Sequence, residues 1–117
     1  MARRSKARVA LTTDPKEAVR EADAVYTDVW VSMGDEAETA AREEAFRSFQ
    51  VNDALLELAK PTAFVLHDLP AHRGQEITDS VLDGPKSAAW DQAENRVHAQ
   101  KAILEHLLAR PAGRSRK

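Results

Sequence analysis

Cysteine does not occur among the 117 residues. Its absence removes disulfides, thiolate metal sites and cysteine nucleophiles. Glycine is nearly as scarce, with Gly34, Gly74, Gly84 and Gly113 the full set. Neither a G-x-G-x-x-G turn nor a Walker A loop can be built from them, which argues against the common nucleotide cradles. No apolar run approaches the roughly 20 residues that a bilayer-spanning helix needs, so no membrane partner is expected. The opening MARRSKAR is basic but has no apolar core, so it does not read as a secretory leader. A cytoplasmic protein is the expectation. Zinc would have to rely on His and carboxylates. His67 and His72 lie five apart across a proline loop, without the spacing of H-E-x-x-H, so no metal is expected.

What is present is an ordinary globular composition. Apolar residues make up 43% of the chain, enough for one domain with a modest core. The net charge of −2 is unevenly distributed. Arg3, Arg4, Lys6 and Arg8 sit at one end, and Arg110, Arg114, Arg116 and Lys117 at the other. The body between them carries all 19 acidic residues. Basic ends can attract anionic surfaces, or can simply be solvated tails. The acidic body would repel a phosphate backbone, so no nucleic-acid partner is expected. Residues 1–8 and 110–117 are expected to be basic, disordered tails around a folded unit spanning 9–109.

Periodicity orders that unit. Arg8 to Thr12 reads as a short strand, with Val9 and Leu11 alternating. Thr13-Asp14-Pro15 reads as a helix start, running to about Ala22. Ala24 to Trp30 is rich in strand formers. After a loop containing Gly34, Glu36 to Phe49 reads as an amphipathic helix with Ala37, Ala41, Ala45 and Phe49 every four residues. Asn52 caps a shorter helix over 53–59, stopped at Lys60-Pro61. Ala63 to Asp68 is the next strand and Thr78 to Leu82 a helical turn ended by Asp83-Gly84-Pro85. Ser87 to Asp91 reads as a fourth strand, and Ala93 to Ala109 as a final helix striped by Val97, Ile103, Leu104, Leu107 and Leu108. Alternating strands and helices predict an α/β fold: a parallel sheet of about four strands with helices on both faces, three-layered and Rossmann-like.

Polar residues gather at the expected strand ends, where open α/β sheets bind ligands. HDLPAHRG, from His67 to Gly74, follows the apolar run Ala63 to Leu66. Asp28 ends the preceding strand and suits an ammonium group. Ser32, with the backbone N–H groups around Met33 and Gly34, precedes a helix and suits a carboxylate or phosphate. Arg96, in the first turn of the final helix, offers a planar fork for an anion. Each has a plainer alternative: Asp28 could cap a turn, Ser32 a helix, and Arg96 could pair with Asp91 or Glu94. Ser32, His67 and Asp68 could also assemble a triad, but Ser32 lacks the pair of flanking glycines that a nucleophile elbow requires. A small zwitterionic or anionic ligand is the remaining reading.

Four stretches carry a family resemblance: YTDVWVSMG (Tyr26 to Gly34), HDLPAHRG, ITDSVLDGP (Ile77 to Pro85) and WDQAENRVHAQKAIL (Trp90 to Leu104). In this order and spacing they resemble ornithine carbamoyltransferases, from Val9 to Leu108. The resemblance implies transfer of a carbamoyl group from carbamoyl phosphate to the δ-amine of ornithine, giving citrulline and phosphate in arginine metabolism, with no cofactor. It implies that Asp28, Ser32 and Met33 bind ornithine. It implies that Asp68 and Leu69 lie against the carbamoyl group and the attacking amine, that His67 and Asp68 serve catalysis, and that Arg96 binds carbamoyl phosphate. It also implies a homotrimer in the complete enzyme.

Two departures follow from the resemblance. Asp68 stands where the family has cysteine, in HCLP. The family's carbamoyl-phosphate domain, with its Ser-Thr-Arg-Thr loop and His-Pro-x-Gln motif, has no counterpart here. The isolated chain is therefore expected to be the inactive ornithine-side part of such an enzyme; the alternatives are a non-catalytic interaction module or a remnant.

Overall fold

In a computed structural model, residues 7–31 and 39–109 are described. Asp14 and Pro15 open the first helix as their residue types dictate. The Asp14 side chain accepts a hydrogen bond from the Lys16 N–H, and Pro15 takes the first helical position. This helix, α1 (Pro15–Val19), buries Val19 and ends short of the expected Ala22. Glu21 follows in the left-handed region at φ +56°, so the chain turns there. Strand β1 (Ala24–Thr27) comes next, three residues shorter at its end than the sequence suggests. Helix α2 (Thr39–Phe46) tightens into a 3-10 turn, Arg47–Phe49. The start of the expected helix, 36–38, lies outside the described residues.

Asn52 caps α3 (Asp53–Leu56) by accepting from the Leu55 N–H at 3.0 Å, and Leu56 enters the core. Strand β2 (Phe64–His67) then runs parallel to β1, with Ala24 opposite Phe64 and Thr27 opposite His67. Its side chains alternate faces, as a strand requires. Val65 and His67 are wholly buried, while Leu66 lines a groove against the last helix. Helix α4 (Asp79–Leu82) adds Val81 and Leu82 to the core, and α5 (Ala89–Leu108) crosses beside β2. The core consists of Val19, Val51, Leu56, Ala59, Ala63, Val65, Ile77, Val81, Leu82 and Ala89.

The α/β class and the parallel pairing are as the sequence predicts, but the strand count is lower. Among the described residues the sheet has two strands rather than about four. Arg8 to Thr12 forms no strand; Val9 and Leu11 are exposed, and the Thr12 hydroxyl instead accepts from the Asp14 N–H and donates to Glu17. An extended run becomes a strand only when a neighbour takes its backbone groups. Ser87 to Asp91 shrinks to a single parallel bridge between Ser87 and Val65. There the Val65 N–H donates to the Lys86 carbonyl and the Ala88 N–H to the Val65 carbonyl, both at 2.8 Å. The chain then enters α5 four residues before the expected Ala93. The stripe expected to bury α5 is exposed at Val97, Ile103, Leu104, Leu107 and Leu108.

Candidate functional site

The site forms where β1 and β2 end. Thr27 and His67 are the last paired residues, so Asp28 and Asp68 follow side by side, with adjacent strands about 4.8 Å apart. The Asp28 carboxylate is exposed and accepts from the Val29 N–H at 2.6 Å. Leu69, next after Asp68, adopts φ +56°, a region that non-glycine residues seldom occupy, and its bond to Pro70 is cis. A positive φ at a residue other than glycine is local strain of the kind that collects at ligand sites.

His67 holds this exit in place. The Leu69 N–H donates to His67 Nδ1 at 2.9 Å, so Nδ1 must be the unprotonated nitrogen. The proton therefore sits on Nε2, which donates to Glu76 Oε1 at 3.1 Å. Both side chains are wholly buried. Glu76 Oε1 also accepts from the His72 N–H at 2.6 Å, closing the loop on itself. Farther along, Gln50 donates to the Gly74 and Gln75 carbonyls, both at 2.8 Å, and Gln75 donates to Glu43 at 2.9 Å. The loop is thereby fastened to α2 and the turn after it.

The Asp68 carboxylate makes no hydrogen bond to His67. Its Oδ1 lies 3.7 Å from His67 Nδ1, too far for a hydrogen bond. Nδ1 is in any case occupied by Leu69, so His67 and Asp68 do not form a His–Asp relay; Ser32, the third member of the expected triad, lies outside the described residues. Asp68 Oδ1 is buried without a hydrogen-bond partner among the described residues. Arg96 reaches the same strand end from α5: its Nη1 donates to the Asp68 carbonyl oxygen at 3.2 Å, not to Asp91 or Glu94. The site therefore combines two carboxylates, a guanidinium and a strained carbonyl-bearing turn. These groups can hold an amine and an anion side by side.

The expected site residues thus divide into two groups. Asp28, His67, Asp68, Leu69 and Arg96 converge at one sheet edge. Ser32 and Met33 lie outside the described residues. No group of three or more His, Asp or Glu side chains that could hold a metal occurs among the described residues.

A family model, "Aspartate/ornithine carbamoyltransferase, Asp/Orn binding domain", matches residues 1–107. The chain belongs to the aspartate/ornithine carbamoyltransferase family. It is 62% identical over 100 residues to the ornithine carbamoyltransferase of Geobacter metallireducens, covering 86% of this chain and 33% of that protein. Among solved structures, the Pyrococcus furiosus ornithine carbamoyltransferase is 60% identical with a TM-score of 0.73, over 79% of this chain and 29% of that one. The anabolic ornithine carbamoyltransferase of Campylobacter jejuni is 35% identical with a TM-score of 0.86, over 91% of this chain and 35% of that one. The chain spans about a third of the length of the curated carbamoyltransferases it matches. No helix among the described residues is long and apolar enough to cross a membrane.

Glu76 is the site residue that sequence reading passes over. A single acid between Gln75 and Ile77 reads as loop polarity. The available signal is its neighbour: Ile77 is a wholly buried residue in a turn-rich segment. Where such an anchor draws its neighbour inside as well, a carboxylate there needs an internal partner.

Proposed function

We propose that this chain is the ornithine-side part of an ornithine carbamoyltransferase, with 9–109 as its folded unit. It acts when joined to the carbamoyl-phosphate domain, in a trimeric, cytoplasmic enzyme of arginine biosynthesis. The δ-nitrogen of ornithine attacks the carbamoyl carbon and forms a tetrahedral intermediate. The bond from that carbon to the phosphate oxygen then breaks; phosphate leaves, the nitrogen loses its proton, and citrulline remains. No residue of the chain forms a covalent bond in this sequence, so its contribution is positioning and charge stabilisation.

Asp28 receives the α-ammonium of ornithine, and Ser32 with Met33 its remaining polar end. Asp68 and Leu69 lie beside the attacking nitrogen and the carbamoyl group. The unpartnered Asp68 Oδ1 suits an amine donor. Arg96 neutralises carbamoyl phosphate. His67, with both ring nitrogens bonded internally, holds the Leu69 turn rather than exchanging protons with substrate. The observation that carries this reading is the meeting of Asp28, Asp68 and Arg96 at one sheet edge.

Isothermal titration tests it. With the carbamoyl-phosphate domain supplied in trans, ornithine or a bisubstrate analogue is expected to bind. Heat changes indistinguishable from dilution for both ligands would refute the reading.

A further inference from the structure

Gln92 Nε2, near the start of α5, donates to the Tyr26 hydroxyl on β1 at 3.0 Å. One helical turn later, Arg96 Nη1 donates to the Asp68 carbonyl just past β2 at 3.2 Å. The two bonds keep step. Tyr26 pairs with Leu66, two residues before Asp68. Four residues of helix rise about 6 Å and two residues of strand about 6.6 Å. One turn of α5 therefore spans nearly the same height as the step from Leu66 to Asp68. Leu66, Gln92 and Arg96 accordingly line one groove. The Gln92 Oε1 is buried without a hydrogen-bond partner among the described residues, so the amide is held by its Nε2 bond to the phenol. Packing does not supply the same constraint. Within the chain, every residue of α5 from Glu94 onward is exposed. A helix so lightly packed takes its orientation from the polar contacts of its first turns.

We propose that Gln92 and Tyr26 are positioning residues for Arg96. Their hydrogen bond fixes the roll of α5 against the sheet, and through it the plane of the guanidinium. Arg96 commits one of its five N–H donors to the Asp68 carbonyl and keeps the others for an anion. That fork recognises phosphate oxygens by geometry as well as by charge, so its plane matters. Gln92 and Tyr26 act from one layer below, at the level of Leu66. Tyr26 is 57% exposed, so its hydroxyl adds little to stability and its removal is felt at Arg96. The inference rests on the reading of Arg96 as the group that neutralises carbamoyl phosphate.

Steady-state kinetics of this chain joined to the carbamoyl-phosphate domain test it. Tyr26→Phe and Gln92→Met should each raise KM for carbamoyl phosphate about threefold, toward the lower end of what one hydrogen bond contributes. KM for ornithine should not change. The double variant should be no worse than either single one, and with Arg96→Ala already in place neither should have a further effect. In the 117-residue chain alone, NMR relaxation should show the Arg96 Nε–H order parameter falling in Tyr26→Phe. An unchanged KM or order parameter in Tyr26→Phe, or an equal rise in KM with Arg96→Ala in place, would overturn the proposal and leave the role of Arg96 intact. If Arg96→Ala itself leaves KM for carbamoyl phosphate unchanged, the reading of Arg96 fails and this inference fails with it.

Discussion

His67 and Glu76 form a wholly buried pair, with Nε2 donating to Oε1 at 3.1 Å, and that pair determines which ring nitrogen remains free to accept the Leu69 N–H. A backbone turn at the candidate site thus depends on a carboxylate nine residues away. The strand end, the Leu69 turn and the His72 backbone share one small polar network. Removing its acceptor strands two donors at once, the His67 Nε2–H and the His72 N–H.

Glu76→Gln keeps an oxygen acceptor for His67 and His72, so it should cost only about 1 kcal/mol of stability. Glu76→Leu leaves the buried His67 ring N–H and the part-buried His72 backbone N–H without partners and should cost roughly 3 kcal/mol or more. Urea denaturation of both variants distinguishes them. Equal losses would mean that packing, not hydrogen bonding, sets the site's stability.

Gly84 ends α4 where no side chain fits. A Cβ built there would lie 2.3 Å from the Ser80 carbonyl oxygen, a backbone atom that cannot swing aside. Gly84→Ala should therefore destabilise the domain by roughly 1–3 kcal/mol, the usual range for overpacking. An unchanged thermal midpoint would show that the turn relaxes freely.

Asp68 sits where the family resemblance leads one to expect cysteine. Within a complete enzyme built with this chain, Asp68→Cys should raise kcat/KM, because thiol and carboxylate differ in shape and basicity beside an attacking amine. Steady-state kinetics with ornithine decide the matter. An unchanged or lower value would indicate that the carboxylate is suited to its place.

In the same complete enzyme, Arg96→Ala should raise KM for carbamoyl phosphate by about tenfold or more, the effect of losing a charge-assisted bond. Arg96→Lys should recover only part of it, since an ammonium cannot reproduce the planar fork. Full recovery by lysine would argue for simple charge neutralisation.

Arg73 bridges Asp79 at 2.8 Å and Asp83 at 2.5 and 3.0 Å, tying the loop after β2 to α4. Hydrogen bonding from Arg73 holds the Asp83 carboxyl below its ordinary range, opposed by partial desolvation and aided by the opposite charge. A depressed carboxyl stabilises the fold above its unfolded pKa, and that contribution disappears as pH falls through the folded value. The stability difference between the wild type and Asp83→Asn should therefore be largest near neutrality and shrink in acid. A difference independent of pH would detach Asp83 from the acid limb.

Much of the local structure was legible in the residues themselves. Asp14-Pro15, Asn52 and Asp83-Gly84-Pro85 each encode a helix start or stop through short-range chemistry, and each works as read. The strand-end position of Asp68 was likewise legible from the apolar run before it, whereas the strand expected to reach Trp30 stops at Thr27, just before Asp28. Arg8 to Thr12 and Ser87 to Asp91 misled because alternation and strand propensity describe a segment's readiness to pair. They do not say whether a partner is present.

The sequence by itself determined the parallel α/β class, the caps, the order of the motifs and, through them, the family. Only the tertiary structure decided that Thr27 registers with His67, that Arg96 reaches the Asp68 carbonyl, and that Glu76 is interior. It also decided that the apolar stripe of α5 faces away from the sheet. The physical reason is common to all four. Local chemistry selects a conformation for each segment, whereas register, burial and facing depend on which other segment occupies the space beside it.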